Sequence, residues 1–169
     1  MSRNGNETEL VAEAERMLAE LADVVDRNVL AAGVFSLAEL LLAQTAGAFV
    51  GGVASDLAGG GGGDGALAAA VGSRIAVEAA AEAKGVSVRL VVAVTTSAVH
   101  VLNSERSDLP SEVARFDRAS TEVTVRKMGL SRIVELLDPA TGAKVSLHGS
   151  VSPISAQSKP DKLVLNLLC

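Results

Sequence analysis

Val86-Ser-Val-Arg-Leu-Val-Val-Ala-Val-Thr-Thr-Ser-Ala-Val-His-Val-Leu-Asn103 is the densest run of strand-forming residues in the chain. Aliphatic and β-branched side chains dominate it, and the polar Thr95-Thr96 pair interrupts it, so it reads as two strands, 86–95 and 97–103. The same grammar continues to residue 150. A charged loop, Ser104 to Pro110, leads to a short strand over 112–116. Asp117-Arg118 turns into a strand over 120–128, where Thr121, Val123 and Val125 face one side and Glu122, Thr124 and Arg126 the other. Gly129 turns the chain into 131–137, where Val134 and Leu136 share a face with Arg132. Asp138-Pro-Ala-Thr-Gly142 is a loop of turn residues. In the strand after it, 143–148, Val145 and Leu147 point inward and Lys144, Ser146 and His148 outward.

Working outward, Asn28-Val-Leu-Ala-Ala-Gly-Val-Phe35 leans towards a first strand over 29–35, and Ser36-Leu-Ala-Glu39 resembles a capping box that starts a helix. Residues 7–27 read as a helix capped by Asn6. Leu10, Ala14, Met17, Leu21 and Val24 recur there at helical spacing, with Glu13, Glu20 and Asp23 on other faces. That apolar stripe either packs on its own domain or, through Leu10, Met17, Leu21 and Val24, holds a partner helix. Residues 37–58 are apolar nearly all round, and Gly47-Ala-Phe-Val-Gly51 has the spacing for close helix approach. Glu39, Gln44 and Asp56 leave too short a run for a clean membrane span, which needs about 20 residues. The expectation is a buried helix, with a membrane-inserted hairpin as the alternative. Gly59–Gly63 with Asp64 and Gly65 satisfies G-x-G-x-x-G only because any glycine run does, and it reads as a hinge before an Ala-rich helix over 66–84. The tail from Pro160 reads as a last helix with proline in its first turn.

The expected fold is therefore α+β. It comprises an N-terminal amphipathic helix over 1–28, a first strand over 29–35, a Gly/Ala-rich helical hairpin over 36–85, and a β domain with C-terminal helix over 86–169. Seven short antiparallel strands at hairpin spacing suit a small barrel or sandwich.

Composition narrows the function classes. The chain has 169 residues, one Cys, no Trp or Tyr and three Phe, with a formal net charge of −5. The scarcity of rings argues against stacking on single-stranded nucleic acid, and the negative charge argues against a phosphate backbone as main partner. Residues 1–85 carry twelve acids and five bases, whereas 86–150 carry seven acids and eight bases, so any anion-seeking surface belongs to the β part. Cys169 alone excludes an internal disulfide or a multi-cysteine metal site. Residues 1–9 lack the apolar run of a secretory signal, so the expected location is cytoplasmic, with peripheral membrane attachment as the alternative.

No catalytic, cofactor or metal residues are expected. His100 and His148 sit mid-strand without a ligand motif, no G-x-S-x-G surrounds Ser97, Ser131 or Ser146, and Cys169 is terminal. What remains is a basic set, Arg115, Arg118, Arg126, Lys127 and Lys144. It would form an anion- or partner-binding face if the strands gathered it; otherwise its members pair with Glu122, Glu135 and Asp138.

The segments Leu90–Leu102, Arg115-Phe-Asp-Arg118, Glu122-Val-Thr-Val-Arg126 and Leu136-Leu-Asp-Pro-Ala-Thr-Gly142 resemble the strand pairs of bacterial pleckstrin-homology-like (PH-like) domains, over about 86–149. The whole chain resembles high-GC actinobacterial proteins that join such a block to a Gly/Ala-rich stretch. The resemblance implies a seven-stranded barrel closed by a C-terminal helix, serving as a non-catalytic module for a protein partner or for self-association. Phosphoinositide binding is not implied. The loop that carries its basic cluster in eukaryotic relatives is the Gly/Ala insertion here, without such a cluster.

Overall fold

A computed structural model describes residues 3–39, 88–104, 112–152 and 158–168. Met1–Leu37 with Arg89–Cys169 make one compact unit, and Ala38–Val88 a second, nearly all of which lies outside the described residues. The expected helix over 66–84 therefore lies wholly outside the described residues, and that over 37–58 does so beyond Glu39.

The first unit is α+β. Its elements are α1 (Arg3–Glu20), β1 (Ala31–Leu37), β2 (Leu90–Val94), β3 (Ala98–Asn103), β4 (Glu112–Asp117), β5 (Glu122–Met128), β6 (Ser131–Leu137), β7 (Lys144–Ser150) and α2 (Ser158–Leu168). All pairings are antiparallel, in the order β4-β3-β2-β1-β7-β6-β5. The central strand β1 is shared. Ala31 to Phe35 pair with β2, whereas Ser36 and Leu37 pair with His148 and Leu147 of β7.

β2 explains why Leu-Val-Val-Ala-Val is apolar without alternation. Every one of its residues is buried, because both faces of this part of the sheet are covered. On one face Val91 and Ala93 join Ala32, Val34 and Leu102 under Leu10, Ala14 and Leu18 of α1. The other face carries Leu90, Val92 and Val94, in register with Asn103, Val101 and Val99. In the β5–β7 half, Val134, Leu136 and Leu147 are buried and Val123 and Val125 half-buried, while Glu122, Thr124 and Arg126 are exposed, the alternation their spacing predicts. Fully burying a Leu such as Leu18 contributes about 2 kcal/mol.

Several boundaries differ from the sequence reading, each for a local reason. α1 begins at Arg3, so Asn6 lies within the helix and does not cap it, and the helix stops at Glu20 rather than at 27. Beyond Glu20 the backbone makes tighter bonds, Leu21 N–H to Leu18 O and Val24 N–H to Leu21 O. Arg27 folds back to donate to the carbonyls of Val24 and Leu21, and Asp26 Oδ1 accepts from Asn28 N–H. Those local side-chain bonds compete with helix continuation. Ser36 does not open a helix, since it and Leu37 extend β1. β7 runs on through Gly149 to Ser150, and α2 begins at Ser158, with Pro160 in its first turn. The Asp138 turn forms as its residues suggest: Asp138 Oδ1 accepts from Ala140 N–H, Oδ2 from the Thr141 hydroxyl, and Gly142 takes φ 74°.

Two glycines allow the closest approaches. A Cβ on Gly33 would lie 2.9 Å from Asp161 Oδ1 of α2, and one on Gly149 would run into the Phe35 ring.

Candidate functional site

Where titratable side chains gather, the fold has first to bring them together, and β4 does so by an irregularity. Residues three apart in a regular strand point to opposite faces. The β3–β4 register slips between Val101 and Leu102, and this bulge turns Glu112 to the side of Arg115. Glu112 then receives two partners. His100, 2% exposed, places Nδ1 2.6 Å from Glu112 Oε1. Arg115 donates from Nε to Oε1 at 3.1 Å and from Nη2 to Oε2 at 2.7 Å. The same Nη2 lies 3.1 Å from Asp23 Oδ2, in the turn after α1. Hydrogen bonding to Glu112 is the main cause that raises the Arg115 pKa further, so this guanidinium is a fixed charge.

A histidine oriented by a carboxylate is half of a nucleophile-activating arrangement. The register neighbours of His100 are Ala93 and Arg115, neither a nucleophile. The chain Asp23–Arg115–Glu112–His100 instead ties the exit of α1 to β4 and β3. The sequence reading had no access to it, because nothing in the residues 112–116 announces the bulge.

The second polar node lies on α2. Asp161 is fully buried, and its Oδ1 accepts from Val34 N–H at 2.9 Å while Oδ2 accepts from Ser150 N–H at 3.0 Å. It sits where β1 and β7 part company, and supplies acceptors to two backbone donors there. Burial pushes its pKa up to about 7, against the opposing pull of those two N–H groups. The only sequence signal was an acid beside Pro160 in the first turn of the last helix.

The basic set is not gathered into one face. Arg115 belongs to the network above. Arg118 donates from Nη1 to Thr95 O and from Nη2 to Leu167 O, both at 3.0 Å, and so caps the C-terminal end of α2. Lys144 Nζ lies 2.8 Å from Glu135 Oε2, and that contact is the leading cause holding Glu135 below the usual carboxylate range, with Arg126 a lesser one. Arg115 and Arg126 also lie on strands at opposite ends of the sheet order. Only Arg126 and Lys127 remain as neighbours on one element.

Nor are the histidines brought together, since β2 and β1 intervene between His100 on β3 and His148 on β7. His148 is half-buried opposite Ile133 and Ser36, and burial lowers its pKa. Among the described residues no group of three or more His, Cys, Asp or Glu is placed to hold a metal ion.

The apolar residues of the N-terminal helix and its exit are occupied within the molecule. Leu10 and Val24 are buried in the cluster over the sheet, and Met17 and Leu21 pack at its margin. Among the described residues the exposed large apolar side chains are others: Val25, Leu30, Met128, Leu130, Leu163 and Leu167. None of the described helices is long and apolar enough to cross a membrane. Compared with family models, curated proteins and solved structures, the chain matches none.

Proposed function

We propose that this chain is a non-catalytic interaction module of the PH-like kind, and that it holds a protein partner along α2. The fold reading is supported by four strands and then three, with β1 shared between them, and a terminal helix set into the parting of β1 and β7. Among the described residues, His100 is engaged with Glu112, Arg115 with Asp23, and Asp161 with two backbone amides.

The observation that carries the reading is on α2. Lys159, Leu163 and Leu167 recur every four residues and so lie along one side of the helix. Lys159 pairs with Glu7 of α1 at 2.6 Å, yet Leu163 and Leu167 further along that side are 41% and 36% exposed. An amphipathic helix whose second apolar edge is left uncovered offers a surface for an apolar segment of another chain.

The test uses the full chain and the double variant L163S/L167S. Both are compared in partner capture and, for self-association, in light scattering. Capture or association should be lost in the variant while thermal melting stays within a degree or two of the parent. Capture unaffected by the two substitutions would remove α2 as the binding surface.

A further inference from the structure

We infer that the β5–β6 hairpin is a docking site for an anionic phospholipid surface, which goes beyond the protein-binding reading and rests on different residues. Its sequence, Arg126-Lys-Met-Gly-Leu-Ser-Arg132, holds three bases and no acid in seven residues, in a chain whose net charge is −5. Gly129, at φ 57°, makes the tight reversal. On either side of it Met128 is 49% and Leu130 62% exposed, so the apolar side chains stand at the tip with the bases behind them.

The pairing across the hairpin sharpens the point. Lys127 lies directly opposite Arg132, a like-charge pair that costs stability in a sheet. Arg132 turns its guanidinium onto the tip, donating to Gly129 O at 3.2 Å and Ser131 O at 2.8 Å. Among the described residues Lys127 has no carboxylate partner, and Glu135, which feels the charge of Arg126, is already bonded to Lys144. The tip is also held in place, because Val151 N–H donates to Leu130 O at 2.9 Å.

A bilayer interface supplies both missing halves. Phosphate and carboxylate headgroups meet the bases, and the acyl boundary beneath them takes the two apolar side chains. An acidic protein surface or a nucleic acid would answer the charge and leave Met128 and Leu130 in water.

The experiment is flotation of the full chain with phosphatidylcholine vesicles, with and without phosphatidylserine, at low and physiological salt. Binding is expected only with phosphatidylserine, weakening with salt. K127E and R126E should each weaken it by about fivefold or more, and M128S/L130S by about tenfold or more. Because the chain has no Trp, L130W is a single reporter, and its emission should shift to the blue on the anionic vesicles alone. The proposal is overturned if the parent chain does not float with phosphatidylserine, or if M128S/L130S binds unchanged. An unshifted L130W emission, or retention on polyglutamate resin without vesicle binding, overturns it too, the last in favour of an acidic protein surface.

Discussion

Asp161 Oδ1 accepts the backbone N–H of Val34 at 2.9 Å, across 127 residues of sequence. The helix thus takes, with one carboxyl group, the place of a neighbouring strand at the point where β7 has turned away from β1. The second oxygen does the same for Ser150 at the end of β7. That one side chain fixes how α2 sits between the two halves of the sheet.

Stability should fall as pH rises through neutrality on account of Asp161. Its folded pKa, about 7, stands above the ordinary 3.8, so the folded state holds the proton more tightly. The contribution is fully present below about 4 and is lost as pH rises through 7. At about 1.4 kcal/mol per pH unit the loss is roughly 4 kcal/mol at most. His148 acts with the opposite sign, because its lowered pKa gives stability that is present above 6.5 and lost as pH falls. Urea melts of the parent, D161N and H148Q between pH 4 and 8 separate the two. D161N should be less stable at pH 5 by about 1–3 kcal/mol, through one unpaired amide, and flatter towards pH 8. An unchanged slope in D161N would exclude Asp161 as its source.

Gly149→Ala should destabilise by about 1–3 kcal/mol, because the new methyl meets the ring of Phe35, a buried side chain with no room to swing away. Making room should relieve it. In a double-mutant cycle G149A with F35L should cost less than the sum of the two, whereas additivity would mean the ring and the glycine are not in contact.

Within the Asp23–Arg115–Glu112–His100 network, loss of the shared carboxylate should cost more than loss of the outer one. Glu112→Ala leaves the buried His100 without its acceptor and Arg115 with Asp23 alone, a change of about 1–3 kcal/mol. Asp23, 74% exposed in its pair with Arg115, should cost about 0–1 kcal/mol when changed to Ala. Chemical denaturation of both variants checks the order, and equal costs would contradict it.

Arg118→Ala should loosen the last turn of α2 without unfolding the sheet. The guanidinium joins Thr95 O to Leu167 O, so its removal frees a helix-end carbonyl. Amide exchange should quicken selectively at residues 164–168, with β6 and β7 unaffected. Uniform acceleration would instead mean that Arg118 supports the whole domain.

The strands were readable because a period of two leaves its mark on each residue. Val123 and Val125 against Glu122 and Thr124, or the Asp138 turn closing on Gly142, depend only on neighbours in sequence. The end of α1 was not readable. Leu21 and Val24 keep helical spacing and are half-buried and buried in the structure, but in a turn that Asp26 and Arg27 organise. The same limit applies to the basic set. Its members are visible as residues, yet pairing scattered them over β4, β5, β7 and the turn at Arg118, and gave most of them structural partners.

What the sequence determined by itself was therefore the class of the described helices and strands and the inward faces of β5, β6 and β7, because both follow from short-range sterics and burial of apolar side chains. Only the tertiary structure decided that α1 covers the sheet, that a bulge joins Glu112 to His100 and Arg115, and that Asp161 bonds Val34 and Ser150. Those contacts span 3 to 127 residues and hang on single hydrogen bonds and on the absence of a Cβ at Gly33. Such terms leave no period in a sequence, since they exist only once side chains and backbone groups distant in sequence have met.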